Sequence, residues 1–364
     1  TLVLSGVNSY TGGTLINGGT LQISDDANLG AEFGSVTLDG GTLATSADIT
    51  SRRDLVMAGA GAISTAEGTT FTFEGRLSGT GALTKAGAGM LVMTGDNSGF
   101  AGSTRVDGTL AVNGSLCGDV DVRPDGRLQG TGTVCSTLNA GTVAPGNSIG
   151  TLTVAGTYTG NGGVLEIEAE LGGDASPTDR LVVTQGTAGA TELVVINIGG
   201  LGAQTVEGIK IVDVTGGASD GTFTLRGDYV FEGSPAVIAG AYGYRLYQGG
   251  ASTPADGDWY LRSALLDGSG QPQGPLYQPG VPIYESYAQT LQKLNGLPTL
   301  QERVGNRQWS GFTASGIGMW GRMESGRHRP EAAVTTSGAD VDTNSWGLQV
   351  GLDAAVIDGQ AGTL

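Results

Sequence analysis

The chain has a single histidine, His328, two cysteines, and no apolar run of 18 residues. Each shortage removes a class of protein. Without an apolar run of that length there is no transmembrane helix. Two cysteines are too few for a scaffold built on disulfides. Basic residues are also scarce, 18 Lys and Arg against 35 Asp and Glu, and the net charge of −17 repels polyphosphate. Nucleic acid is therefore excluded as a partner. Proline numbers 11 and no strict Gly-X-Y period is present, so the chain is not collagenous. No signal-peptide pattern is visible and Thr1 falls inside a repeat, so the chain is expected to be a piece of a longer protein.

Glycine is abundant: 67 of 364 residues, against about 7 % in an average protein. With 38 % apolar residues and a mean hydropathy near zero, the composition is too apolar for disorder. It suits an all-β chain of short strands and tight turns. The stretch YTGGTLINGGTLQI, Tyr10 to Ile23, uses one phrase twice, and LVMTGDNSGFAGSTRVDGTLAV, Leu91 to Val112, nearly copies LVLSGVNSYTGGTLINGGTLQI, Leu2 to Ile23. The words GTL, GRL or GTV recur at Gly19, Gly41, Gly108, Gly126, Gly132, Gly141 and Gly150. The first three intervals, 22, 67 and 18 residues, are near multiples of about 20, and fixed self-similarity of that size is the mark of a solenoid. Glycine at about 1 kcal/mol per helical position, beside β-branched neighbours, argues against helical repeats. A right-handed parallel β-helix fits best, with the aliphatic residue of each word inward, threonine beside the turns and glycine supplying positive φ at the corners. Leu21, Leu43, Leu110, Val143 and Leu152 are the expected inward ladder positions.

These words occupy residues 1–138. In the next section, 139–264, strands lengthen: Leu165, Ile167, Ala169 and Leu171 alternate with Glu166, Glu168 and Glu170. This section reads as a cap, which a solenoid needs to cover its last coil. Residues 265–282 carry four of the prolines and form a linker. A helix is expected over 283–308, with Ile283, Tyr287, Leu291 and Leu294 on one stripe and a break at Gly296 and Pro298. In residues 309–364, Trp346, Leu348, Val350, Leu352 and Ala354 alternate with small or polar residues. This pattern suits a membrane β-barrel strand of about 10 residues, with GIGMWGRM, Gly316 to Met323, as its neighbour. Asp358-Gly359 reads as the following turn.

Taken along its length, the sequence resembles the passenger-to-barrel junction of a bacterial autotransporter (type V secretion). YTGGTLINGGTL and FAGSTRVDGTL resemble passenger-associated repeats. LNAGTVAPGNSIGTLTVAGTYTGNGGVLEIEAEL resembles the entry to a pertactin-like autochaperone region, and GAYGYRLYQGG with DGDWYLRS resembles its end. MWGRMESG and SWGLQVGLDAAVIDGQAGTL resemble the opening of the translocator barrel. The resemblance implies a non-enzymatic chain without cofactor or metal, exported through the periplasm to the outer membrane and cell surface. Its barrel would be inserted by the barrel-assembly machinery, its helix would lie in the barrel pore, and its autochaperone would fold first and template the β-helix. Tyr244, Leu246, Trp259 and Leu261 are the candidate cap-core anchors.

Several local patterns bear on other functions. Gly146-Asn147-Ser148-Ile149-Gly150 matches a hydrolase nucleophile elbow, but the surroundings are all β and the one histidine is remote. Arg226-Gly227-Asp228 matches the integrin-binding tripeptide and, on a flexible tip, would offer a host receptor or matrix a pair of opposite charges. Asp119, Asp121 and Asp125 depart from calcium-loop spacing and lack the closing glutamate. Cys117 and Cys135, 18 residues apart, lie about one coil from each other. They form either a bridge adding about 3 kcal/mol or a pair of stacked thiols. An adhesin binding through loops such as 220–233, or a carbohydrate-active β-helix enzyme, are the competing functions.

Overall fold

A computed structural model describes residues 1–267, 272–295, 318–329, 336–338, 342–353, 358–359 and 362–363. The chain divides into two units, Thr1–Leu276 and Tyr277–Leu364.

The first unit is a parallel β-helix. Its strands of two to five residues pair with their counterparts one coil on, so that the chain builds three ladders at once. One ladder stacks Leu21, Leu43, Ile63, Lys85, Val106, Val122 and Asn139. A second stacks Ile49, Phe71, Leu91, Leu110, Leu128, Val143, Leu165, Leu193 and Leu225. The third ladder carries Leu116, Val134, Val154 and Val183. All of these side chains are buried, and each fully buried aliphatic is worth about 1.5–3 kcal/mol. No coil can collect that energy alone, because its inner face is completed only by the coils above and below.

The five residues expected to face inward are all buried, but they do not form one ladder. Leu21 and Leu43 stack on each other. Leu110 and Val143 belong to the second ladder, and Leu152 to the third, where it pairs with Leu181. Coils vary in length, so a recurring word drifts from one face to another. The near-copy keeps its geometry nonetheless: Leu91 pairs with Leu110 as Leu2 pairs with Leu21.

The glycines of these words serve close approach more than positive φ. A Cβ on Gly108, Gly126 or Gly141 would lie 2.0–2.2 Å from a carbonyl oxygen of the preceding coil. Among the GTL glycines only Gly13 and Gly19 have a positive φ, +75° and +69°.

Two basic side chains lie inside the solenoid. Arg53, 3 % exposed, donates to Asp26 at 3.0 Å and to the carbonyls of Leu29, Gly30 and Gly34, holding the 3-10 turn Asp26–Leu29. Lys85 is fully buried with carbonyl partners only, including Gly87 O at 3.1 Å, and burial pulls its ammonium down to about 8.

Beyond Val154 the strands lengthen. Tyr158–Ala169 pairs with Gly186–Asn197 across a bulge, and Thr222–Arg226 adds below. At Ile209–Val214 the parallel stack ends: its neighbour, Trp259–Arg262, runs antiparallel, followed by Tyr242–Gln248 and Ser234–Ala239. Part of the stretch expected as a linker stays with this unit. Ala264–Leu266 pairs with Pro272–Pro275, and the Leu276 N–H donates to Ser263 O at 2.7 Å.

In the second unit the helix spans Val281–Leu294, beginning two residues before the expected start. Pro282 is accommodated because the first turn needs no N–H from it. Ile283, Tyr287 and Leu291 of the stripe are exposed. The expected helical residues 296–308, with Gly296 and Pro298, lie outside the described residues. Gly318–His328 and Thr343–Asp353 form an antiparallel hairpin in register from Gly318↔Asp353 to His328↔Thr343. Met323, Trp346, Leu348 and Val350 are exposed on it. Among the described residues no closed barrel is formed. Asp358–Gly359 is not a turn but pairs as a strand with Gly362–Thr363.

Candidate functional site

The cap is the region of the first unit in which strand direction changes, and its core continues that of the solenoid. Its entrance is marked by a cluster of buried polar side chains. Asn139 Nδ2 donates to the Tyr158 hydroxyl at 2.9 Å and to Val164 O at 3.0 Å, while its Oδ1 accepts from the Gly141 N–H at 3.1 Å. The Tyr158 hydroxyl also lies 3.2 Å from Thr191 Oγ1. Burial raises the Tyr158 phenol above its ordinary range, against the pull of Thr191 and Asn139. A buried polar cluster of this kind fixes register, because a slip would leave several groups unpaired.

Aromatic rings fill the space below. Phe223 sits 6.0 Å from Tyr158, nearly parallel, and 5.2 Å from Trp259, edge to face. Leu261 is fully buried between Ile209 and Leu246, and Leu246 is half-buried. Tyr244 is fully buried, its hydroxyl 2.8 Å from Gly172 O and 2.9 Å from Ala203 O while accepting from the Ala203 N–H. The four anchors named from the sequence thus lie together in the cap, on the adjacent Tyr242–Gln248 and Trp259–Arg262 strands.

Other groups that brace the cap carried no sequence signal beyond being polar residues near turns. Asp174 accepts from the N–H groups of Val206, Glu207 and Gly208 at 2.9–3.0 Å. Asp179, 2 % exposed, accepts from Gly150 N–H and Glu168 N–H, both at 2.8 Å. Burial pushes its carboxyl up to about 6, with Glu168 and Glu166 adding to the rise. Arg262 lies over the rings of Tyr247 and Tyr260 and donates to Glu207 O at 2.7 Å. Lys210 pairs with Asp258 at 2.6 Å, and Asp258 Oδ1 in turn accepts from the Val214 N–H.

The remaining sequence candidates are spread over the unit. Cys117 and Cys135 are joined in a disulfide between consecutive coils, with Cα atoms 4.7 Å apart. Arg226 ends a strand and its Nε donates to Glu192 at 2.8 Å. Asp228 accepts from the Ile238 N–H at 2.7 Å, and Gly227 packs against Ala236. Both charges of the tripeptide are exposed and each has a partner on a neighbouring strand. Ser148 sits on a turn whose Gly150 N–H is held by Asp179, in a unit that contains no histidine. Asp121 pairs with Arg123 at 3.1 Å. Among the described residues no group of three or more histidine, cysteine or acidic side chains is placed to hold a metal ion.

Comparison with known proteins bears on the same two regions. Residues 127–246 match the family described as Autochaperone Domain Type 1. Residues 1–23 and 83–112, which contain both near-copies, match the Passenger-associated-transport-repeat. The chain belongs to the autotransporters. The autotransporter adhesin BmaC of Brucella suis biovar 1 (strain 1330) is 51 % identical over 381 aligned residues, covering all of this chain and 11 % of that protein. The autotransporter adhesin AIDA-I of Escherichia coli is 43 % identical over 116 residues, 32 % of this chain and 8 % of that protein. An extracellular serine protease of Serratia marcescens is 47 % identical over 81 residues, 21 % of this chain and 8 % of that protein. The chain spans only a small part of these relatives. An outer-membrane barrel and display at the cell surface follow from membership of the autotransporters.

Proposed function

We propose that this stretch of autotransporter is a non-enzymatic folding and display device, in which the cap of residues 139–264 nucleates the β-helix that precedes it. The observation that carries the reading is the difference between the two kinds of packing. A solenoid coil buries its ladder residues only against neighbouring coils, while the cap adds to the shared core the aromatic group around Phe223, the Tyr244 hydroxyl bridge and an antiparallel sheet that closes the stack. A closed end braced by these added contacts forms first, and each coil then condenses on a finished surface. The Cys117–Cys135 bridge would staple two coils just upstream of that surface. In this reading the chain crosses the periplasm before folding. The hairpin Gly318–His328 with Thr343–Asp353 opens a barrel that the outer-membrane assembly machinery inserts, and the helix from Val281 occupies its pore.

The test is deletion of residues 139–262 from the displayed protein. The upstream coils are expected to become sensitive to external protease while the barrel still inserts. Coils that remain as protease-resistant as in the intact chain overturn the nucleation role. The adhesin relatives, one matching the whole chain, support a second reading in which exposed loops bind a host surface or matrix.

A further inference from the structure

Five successive coils of the solenoid leave a trough of about 510 Å³ on one outer face. Its floor is a column of outward side chains held in register by the parallel ladder: Thr84, Arg105, Asp121, Leu138 and Thr159. The residues two places earlier form its wall, with Ser103, Asp119 and Ser136 at the centre. At about 4.8 Å per rung, five rungs make a slot of roughly 19 Å. No long side chain crosses it except Arg105.

The chemistry of the slot restricts its occupant. Every strand beneath it spends its backbone N–H and C=O groups on the neighbouring coils, so a peptide cannot join as an extra strand. A ligand meets side chains only, and these are mostly hydroxyls, with an arginine, two aspartates and one half-apolar patch at Leu138, 37 % exposed. Arg105 Nε is held by Asp107 at 2.9 Å, and its Nη groups have no hydrogen bond among the described residues. Asp121 adds an independent observation. Its Oδ2 accepts from Arg123, while its Oδ1 is shielded from solvent and has no partner among the described residues. An unpaired carboxylate oxygen is costly, and a hydroxyl donor from a ligand would remove that cost after a small rotation. Two aspartates beside one arginine, on a chain of net charge −17, turn away sulfated or uronic polymers. What fits is long, uncharged and rich in hydroxyls, with some exposed C–H surface.

We propose that this trough is a binding site for a neutral, extended oligosaccharide, lying along the solenoid axis with Arg105 and Asp121 hydrogen-bonding its hydroxyls. The site reaches the cap only at its last rung, Thr157 and Thr159, and does not depend on the cap's proposed folding role. No aromatic ring lines the trough, so recognition rests on hydrogen bonds and the affinity is modest.

The experiment uses the full chain in detergent. It is applied to a printed array of neutral glucose-, mannose- and galactose-based oligosaccharides with heparin oligosaccharides alongside, followed by calorimetry on the best neutral probe. Neutral probes of about four to six units, one per rung, are expected to bind and shorter ones to bind less. Arg105→Gln and Asp121→Asn are each expected to weaken binding about tenfold, and Ser103→Trp, which fills an exposed position, to abolish it. Circular dichroism confirms that the variants fold. Absence of binding to every neutral probe, preference for heparin, or neutral binding untouched by all three variants overturns the proposal.

Discussion

Replacing Gly141 with alanine tests whether the solenoid is held by the spacing between its coils. A Cβ at this position would stand 2.0 Å from Arg123 O and 2.4 Å from Gly126 O, where about 3.5 Å is the comfortable separation. Both obstacles are backbone atoms of the coil before, so no side chain can swing aside. Relief requires the two coils to part, and the bonds that resist are local. Val164 N–H donates to Gly141 O at 2.7 Å, Ala140 N–H to Val122 O at 2.8 Å, and Thr142 N–H to Gly126 O at 2.9 Å. Overpacking of this kind costs about 1–3 kcal/mol, and each buried bond left unmade adds about 1–3 kcal/mol. Against this stands a gain of about 0.4–1 kcal/mol from stiffening the unfolded chain. The net expectation is a loss of roughly 2–4 kcal/mol. With a urea dependence of about 3 kcal/mol per molar, the unfolding midpoint falls by about 1 M. Gly18→Ala is the matched control: nothing lies within 4 Å of its Cβ position and its φ is not positive, so its midpoint stays level or rises slightly. Urea unfolding followed by circular dichroism reads both. A Gly141→Ala chain as stable as the parent, or a Gly18→Ala chain as damaged, refutes the reasoning.

Tyr244→Phe keeps the ring and removes the hydroxyl that joins Gly172, Ala203 and the end of the cap; it is expected to cost about 1–3 kcal/mol, read as an earlier midpoint in the same assay. Asp179 gives a pH dependence of defined sign. Its folded value of about 6 lies above the ordinary value of about 3.9, so the folded chain holds the proton more tightly. That contribution is complete below the ordinary value and lost as pH rises through 6. Relative to Asp179→Asn, the parent chain therefore gains stability between pH 7 and pH 4, by up to about 3 kcal/mol; a constant difference across that range contradicts the assignment.

The stacking of Leu21 on Leu43 and the alternation from Leu165 to Leu171 were legible because burial imposes a repeating apolar pattern. The placement of Leu110 and Leu152 on other faces was not. On the second ladder the interval from Leu110 to Leu128 is 18 residues and from Leu128 to Val143 only 15, so a word does not carry its face with it. Position within a coil depends on turns whose lengths have no apolar signature. Glycine was legible as a corner residue but not as a spacer, since the atom that excludes a Cβ belongs to a strand a coil away. The same holds for Asn139 and Asp179, whose partners come from distant parts of the chain. The tripeptide at Arg226 shows the converse. A three-residue pattern is visible without its surroundings, and Glu192 and the Ile238 N–H, which engage its charges, are invisible to it.

The reversal of strand direction between Ile209–Val214 and Trp259–Arg262 has a consequence for how such proteins change over generations. An antiparallel neighbour offers no template for another coil, so growth of the solenoid is closed at that end. On the other side every coil presents the next with the same parallel edge, and one more or one fewer leaves the closed end untouched. Length thus becomes a quantity that inheritance can vary by whole turns while the terminus is kept as it is.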